Sequence, residues 1–271
     1  MSTRENNWAG DGMSLDRPNP ARIYDYLLGG HHNFAADRAA AEKVKENLPY
    51  AQEATLVQRA FLRRVIDLCT SEGIDQFLDI GSGLPTMGNV HDLARATIPE
   101  ARVVYVDIDP VVVAHSSRLL EDDPWATIIE GDLRYPSSIL EHEETLRLLD
   151  FARPLSLTAT AVLHFVMDSE RAHSAMRTLT EALPSGSYVT LTHALLEEAS
   201  REAVEKAIDD YKPASMAKAR PREEVVRFFD GLEILEPGIV RAPLWRPEGP
   251  DDLLLDNPEG FTGLAGVGRK P

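Results

Sequence analysis

The sequence holds a single cysteine, Cys69, among 271 residues. One cysteine excludes an intrachain disulfide and a thiolate metal cluster. No apolar run approaches the roughly 18–20 residues that span a bilayer as a helix. The start of the chain is polar, rich in Asn, Gly, Asp and Pro, and lacks the hydrophobic run of a secretory signal. These absences predict a cytoplasmic protein with no membrane partner. Basic residues are scarce too: 28 Lys and Arg stand against 44 Asp and Glu, a net charge of −16 at pH 7. A field of that sign repels polyphosphate, so no nucleic-acid partner is expected and a small molecule suits the surface better. What the chain does have is 43% hydrophobic residues, enough to bury a sizeable core.

Patterning divides the chain into a flexible leader over 1–20, an N-terminal helical segment over 21–75 and a domain over 76–271. A helical stretch from 20 to 46 is interrupted at Gly29 and Gly30. A second helix over 53–70 places Val57, Phe61, Val65 and Leu68 on one face, with Gly73 as its C-terminal cap. Strand-like runs then alternate with helical ones: strands at 76–80, 102–106, 126–129, 155–162 and 188–192, helices at 90–96, 111–120 and 169–183. Such alternation implies right-handed crossovers and a doubly wound parallel α/β sheet. The end departs from that rhythm. After a helix over 221–229, strands at 232–235 and 261–267 are joined only by a loop rich in Pro, Gly and Asp. No crossover helix fits there, so these two strands should pair antiparallel.

Phe77-Leu78-Asp79-Ile80-Gly81-Ser82-Gly83 reads as a strand entering a glycine turn. Alone, Gly-x-Gly serves a dinucleotide, a nucleotide sugar or merely a sharp turn. A dinucleotide fingerprint wants a third glycine at 86, where this chain has Thr86 after Pro85. Asp79 at the strand end is awkward beside a pyrophosphate and suits the cationic amino-acid half of S-adenosylmethionine. Asp107 ends the second strand, where a carboxylate can accept both ribose hydroxyls. Asp132 follows the third in Glu130-Gly131-Asp132-Leu133, placed for an adenine amino group.

These residues resemble the class I S-adenosylmethionine-dependent methyltransferases, over roughly 77–269. The chain is more specifically similar to an actinobacterial family of S-adenosyl methyltransferases of undefined substrate, formerly a domain of unknown function. The carrying segments are Ala21-Arg22-Ile23-Tyr24-Asp25-Tyr26-Leu27-Leu28-Gly29-Gly30, Asn33-Phe34-Ala35-Ala36-Asp37-Arg38, Asp79 through Thr86, Tyr105 through Pro110, Val162-Leu163-His164-Phe165, and Phe229-Asp230-Gly231-Leu232-Glu233. The resemblance implies a Rossmann-like parallel sheet ending in an antiparallel hairpin, and S-adenosylmethionine as cofactor, with S-adenosylhomocysteine as product. It also implies that Gly81 and Gly83 line the methionine and ribose, that Asp107 holds the ribose, and that Asp132 and Leu133 meet the adenine. Ser82, Ile108 and Asp109 join the candidate cofactor set, although Asp109 is equally placed to cap the helix opening at Pro110. Leu84-Pro85-Thr86 departs from the broad class, so contacts past Gly83 carry over least well.

Two histidines stand where an acceptor would sit, His164 after the fourth strand and His193 at the end of the fifth. Either could be a general base; a packing or backbone-bonding role stands beside that reading. The segment Tyr24–Phe34 reads as a lid, with Tyr24, Tyr26 and Asn33 facing cofactor or acceptor, or else as a helix junction. His31, His32 and His164 lack the carboxylate company of a metal site, and none is expected. The leading reading is a methyltransferase acting on a small molecule. The alternative is a non-catalytic S-adenosylmethionine- or S-adenosylhomocysteine-binding protein, with a nicotinamide-dependent reductase as a distant third.

Overall fold

Strands buried on both faces read as short apolar runs because each side of a parallel sheet is covered by helices. The computed structural model of the chain, which describes residues 16–85, 88–212 and 214–271, shows such strands. The expected leader lies mostly outside the described residues, as does Thr86. In chain order the elements are α1 (Pro20–Leu27), α2 (Ala35–Asn47), α3 (Ala51–Ser71), β1 (Gln76–Ile80), α4 (Val90–Arg95), β2 (Arg102–Asp107), α5 (Pro110–Leu119) and β3 (Ala126–Glu130). They continue as α6 (Pro136–Leu140), α7 (Glu143–Leu148), β4 (Ser156–Thr160), α8 (Ser169–Ala182), β5 (Tyr188–Ala194), α9 (Arg201–Tyr211), α10 (Arg222–Val226), β6 (Glu233–Ile234) and β7 (Gly263–Arg269).

One sheet runs in the order β3-β2-β1-β4-β5-β7-β6. Strands β1 to β5 pair parallel with one another, whereas β7 pairs antiparallel with both β5 and β6. The pairing of the last two strands is the one their connecting loop dictates. Side chains alternate between two cores with the period of the strand. Leu78, Ile80, Val104 and Val106 face α8 and the α10 region, where Met176, Leu179 and Phe228 pack. Phe77, Val103 and Tyr105 face the other way, against Phe61 and Val65 of α3 and the fully buried Trp245.

The N-terminal helices form a lid over the carboxyl edge of this sheet. The expected 20–46 helix is two helices, because Gly29 turns with φ 81° and the chain doubles back onto Asp25. That buried carboxylate accepts the His32 N–H at 2.8 Å and the Asn33 Nδ2–H at 2.9 Å. A side chain at Gly30 has no room, since its Cβ would lie 2.0 Å from Asp25 Oδ1. A buried ion pair, Arg22 Nε to Asp37 Oδ2 at 2.8 Å, ties α1 to α2. Asn19, which caps α1, donates to Asp109 at the start of α5, so the lid is pinned to the sheet edge. The second wall of the lid is α9, which packs along α2 and is joined to it by Asn47 Nδ2 donating to Asp210 at 2.6 Å. Nothing in the sequence reading anticipated α9. Its signal was present, however: Val204, Ala207 and Ile208 recur at helical spacing among charged neighbours. No helix among the described residues is long and apolar enough to cross a membrane.

Candidate functional site

Loops leaving the carboxyl ends of parallel strands diverge at a topological switch point, which opens a crevice there. In this sheet the order reverses between β1 and β4, and a cavity of about 1050 Å³ lies above that point. Its floor is built by the segments that follow β1 to β4, among them Ile80–Gly83, Asp107–Pro110 and Gly131–Tyr135, and by Ala194 at the end of β5. Its roof comes from α1, α2, α3, α9 and residues 214–217.

The turn after β1 can approach β4 only without a side chain. Gly81 has φ 70°, and a Cβ there would come within 2.4 Å of Val162 Cγ2. Ala161, beside that contact, holds φ 53°, a left-handed conformation that is strained for a residue with a Cβ. It is fixed by its N–H donating to Thr192 Oγ1 at 2.9 Å, and the same hydroxyl accepts from Gln58 Nε2 at 2.7 Å.

Asp79, Asp107, Asp109 and Asp132 all line this cavity, as do Gly81, Ser82, Gly83, Ile108 and Leu133. Asp79 is buried and accepts from the Thr158 hydroxyl. Burial pushes its carboxyl up to about 6, against the lowering effects of Thr158 and the Arg59 charge. Asp107 accepts the Gly83 N–H at 2.8 Å and the Asp109 N–H at 3.0 Å; burial raises it as well, the backbone donors partly offsetting that. Asp109 caps α5 through the Val111 N–H at 2.7 Å while also facing the cavity. Asp132 is held by Arg134 at 2.6 Å. Its partial burial acts upward, but the guanidinium and N–H of Arg134 outweigh it and keep the carboxyl below its ordinary value.

Of the expected lid residues, Tyr24 alone lines the cavity. Its ring lies 5.3 Å from the Arg59 guanidinium. Tyr26 does not reach the cavity: it packs against the Ile23, Leu27 and Ala41 cluster and donates to Glu42 at 2.8 Å. Two positions along a helix place a side chain on a different face, which is why Tyr24 and Tyr26 part. Asn33 is turned inward to the loop, bonding Asp25 and the Gly30 carbonyl.

The two histidines also part. His164 lines the cavity on the short turn after β4, with its Nδ1 buried and lacking a hydrogen-bond partner. Burial, reinforced by the nearby Arg220 charge, lowers its pKa to about 4. His193 is buried beneath it and does not line the cavity. Its Nε2 lies 2.8 Å from Arg220 Nη1 and its Nδ1 2.7 Å from the Ala194 carbonyl. A guanidinium can only donate, so Nε2 accepts and Nδ1 carries the proton. With both nitrogens engaged, His193 has no free site for an acceptor's proton, and the expectation of a base there is corrected to a structural one.

The sequence reading also missed Arg59. It lines the cavity beside Asp79 from α3, and its Nε is buried with no partner. It stands off the face that Val57, Phe61, Val65 and Leu68 share, so the periodicity of the 53–70 helix carried no signal for it. Among the described residues no group of three or more His, Cys, Asp or Glu could hold a metal ion.

A candidate methyltransferase from Thermobifida fusca is 39% identical over 97% of this chain and 99% of its own, with a TM-score of 0.88. A DUF574 family protein from Streptomyces avermitilis is 36% identical over 95% of this chain and all of its own, again with a TM-score of 0.88. An O-methyltransferase family protein from Burkholderia thailandensis, 9% identical with a TM-score of 0.51 over 81% of this chain and 60% of its own, shares the fold alone. No protein with curated annotation matches. The family model described as S-adenosyl methyltransferase matches residues 6–271. With its Rossmann-like sheet, its antiparallel ending and a match over nearly its whole length, the chain belongs to this S-adenosyl methyltransferase family, whose cofactor is S-adenosylmethionine.

Proposed function

We propose that the chain methylates a small-molecule acceptor, and that the cofactor lies along the acid-lined edge of the cavity with the acceptor under α2 and α9. The observation that carries this reading is one cavity with two chemically different halves. Ligand pockets commonly measure about 300–1,000 Å³, so a cavity of about 1050 Å³ has room for a second molecule beside a nucleoside-sized one. The residues present suit the cofactor. The Asp79 carboxylate would take the methionine ammonium, and the orphaned Arg59 Nε its carboxylate. Asp107 retains free lone pairs for ribose hydroxyls beyond its two backbone donors. Leu133 and Ile108 offer apolar surface to the adenine, with Asp132 at its edge. A pyrophosphate would instead meet four carboxylates. A cytoplasmic address is part of the proposal.

Bound S-adenosylmethionine supplies a methyl group on a sulfonium, open to a nucleophile. The protein's share is alignment, which accounts for much of the acceleration in such displacements. His164, held neutral at pH 7 by burial and Arg220, would accept the acceptor's hydrogen bond and orient it; as the methyl–sulfur bond breaks and the new bond to the acceptor forms, the acceptor's proton would leave to solvent and not stay on the imidazole. Calorimetric titration with S-adenosylhomocysteine and NAD tests the cofactor half, with tighter binding of NAD overturning it. Transfer of labelled methyl into a deproteinised metabolite extract tests the acceptor half. Binding without any transfer would leave a non-catalytic cofactor-binding protein.

Asp79 gives the cofactor site a pH signature. The ammonium is attracted only to the ionised carboxylate, and the charged groups acting on Asp79 are Arg59 from α3 and Asp107 from β2. With its pKa raised to about 6 in the free protein, S-adenosylhomocysteine should bind about tenfold more weakly at pH 5 than at pH 7. Asp79→Asn should bind weakly and lose this dependence. In the ligand-free protein the raised pKa acts oppositely, since the folded state holds the proton more tightly. Its contribution therefore destabilises as pH rises through about 4 to 6. Affinity that stays flat from pH 5 to 7 would move the ammonium away from Asp79.

A further inference from the structure

The halves of the cavity differ in charge. Every charged side chain that lines it among the described residues lies on α3 near the glycine turn, at the carboxyl ends of β1 and β2, on the loops after β2 and β3, or at the start of α8, where Asp168 and Arg171 stand. The walls contributed by α2, α9 and residues 214–217 have none. Val44 of α2 with Leu48 at its end, Val204, Ala207 and Ile208 of α9, and Met216 form these walls. The polar groups of this half are few and neutral: Gln58, already committed to Thr192, and Ser215, Thr262 and His164. Two methionines, Met167 and Met216, are 41% and 62% exposed while lining the same cavity. Thioether side chains of that kind adapt to apolar ligands of varied shape.

From this division we infer that the acceptor is an uncharged, predominantly apolar molecule carrying one hydroxyl, bound under α2 and α9 with that hydroxyl at His164. The inference rests on the methyltransferase reading above and narrows its substrate. Its physical ground is desolvation. A carboxylate, phosphate or ammonium placed among Val204, Ala207 and Ile208 would be stripped of water with no countercharge, and such burial is strongly unfavourable. One hydroxyl is different, because the wall offers one neutral imidazole whose Nδ1 has no protein partner. The positive ligand charge that the four acids favour belongs to the other half.

The test uses the full chain saturated with S-adenosylhomocysteine, whose binding is first measured by calorimetry. The probes are β-naphthol and para-phenylphenol, each beside its ring-carboxylated analogue. The neutral phenols should bind at least about tenfold more tightly than their carboxylates, the lower limit expected for burying an unpaired charge. Met216→Glu, a substitution at an exposed position that leaves the core intact, should weaken the phenols by about tenfold and leave S-adenosylhomocysteine affinity within about twofold. His164→Ala should weaken the phenols while sparing their methyl ethers, which have no hydroxyl to donate. Three results would overturn the inference: carboxylates binding as tightly as phenols, phenol binding indifferent to Met216→Glu, or neither set binding to a protein that does bind S-adenosylhomocysteine. Failure to bind S-adenosylhomocysteine would instead remove the cofactor reading itself.

Discussion

Arg220→Ala is expected to cost about 3–5 kcal/mol of folding stability, the range for stripping one partner from a buried charged network. Arg220 is fully buried. Its guanidinium donates to the Leu163 carbonyl at 3.1 Å and the Val166 carbonyl at 2.6 Å, which bracket the turn carrying His164. It also donates to Ser169 Oγ at 3.2 Å and to His193 at 2.8 Å, and approaches Glu224 at 3.4 Å. Alanine leaves the Val166 carbonyl and a His193 ring nitrogen without donors, and the Leu163 carbonyl with the Val166 N–H alone. In a domain of this size, each 1 kcal/mol shifts the melting temperature by about 2–4 °C, so thermal and urea unfolding should both register the change. Arg220→Lys keeps the charge but cannot span carbonyls three residues apart with a rigid fork, so it should recover only part of the loss. A melting temperature within about 2 °C of the parent would mean that the turn is held by its packing and not by this side chain. His164 should feel the loss as well. Removing a nearby positive charge lets its pKa rise from about 4, so its titration should move upward in any variant that still folds.

Asp107→Ala should weaken S-adenosylhomocysteine binding by at least about tenfold, because charge-assisted hydrogen bonds to ribose hydroxyls are worth roughly 1.5–3 kcal/mol each before water compensates. The sequence alone predicts that effect with an unchanged melting temperature in the free protein. The structure alters the second part. Asp107 is also the acceptor for the Gly83 and Asp109 N–H groups, so its removal loosens the glycine turn and should lower ligand-free stability by about 1–3 kcal/mol. Asp132→Ala provides the contrast. Its carboxylate engages the backbone and side chain of Arg134 on a partly exposed loop, so stability should change little while adenine affinity falls. Unchanged affinity in Asp107→Ala would transfer the ribose contact to Asp109, which lines the same wall.

The strand-end acids could be read from the sequence because their placement is local. In a parallel sheet, every strand entered by a right-handed crossover delivers its last residues to the same edge. Asp79, Asp107 and Asp132 therefore converge whatever packs above them. The antiparallel close was equally legible, since the loop between the last two strands has no room for a crossover helix. The same local logic read Gly81 correctly as a turn, although the contact that excludes a side chain, with Val162 of a distant segment, lies beyond it.

What lies above the sheet was not legible, and the reason is rotational. A helical residue faces the cavity or turns away according to how its helix is rolled and docked, and a sequence pattern fixes only which residues share a face. That is why Tyr24 lines the cavity while Tyr26 bonds Glu42, and why Arg59 went unnoticed among the polar residues of α3. Asn33, in the turn between two helices, serves the buried Asp25 instead of a ligand. His164 and His193 look alike as strand-end histidines, yet Arg220, 27 residues after His193, occupies one ring nitrogen of the latter and sets the field at the former. The sequence by itself determined the sheet, its reversal and the acids on its edge, all consequences of strand period and crossover hand. Only the tertiary structure decided which side chains roof that edge, because helix docking and long-range hydrogen bonds, not local periodicity, aim them.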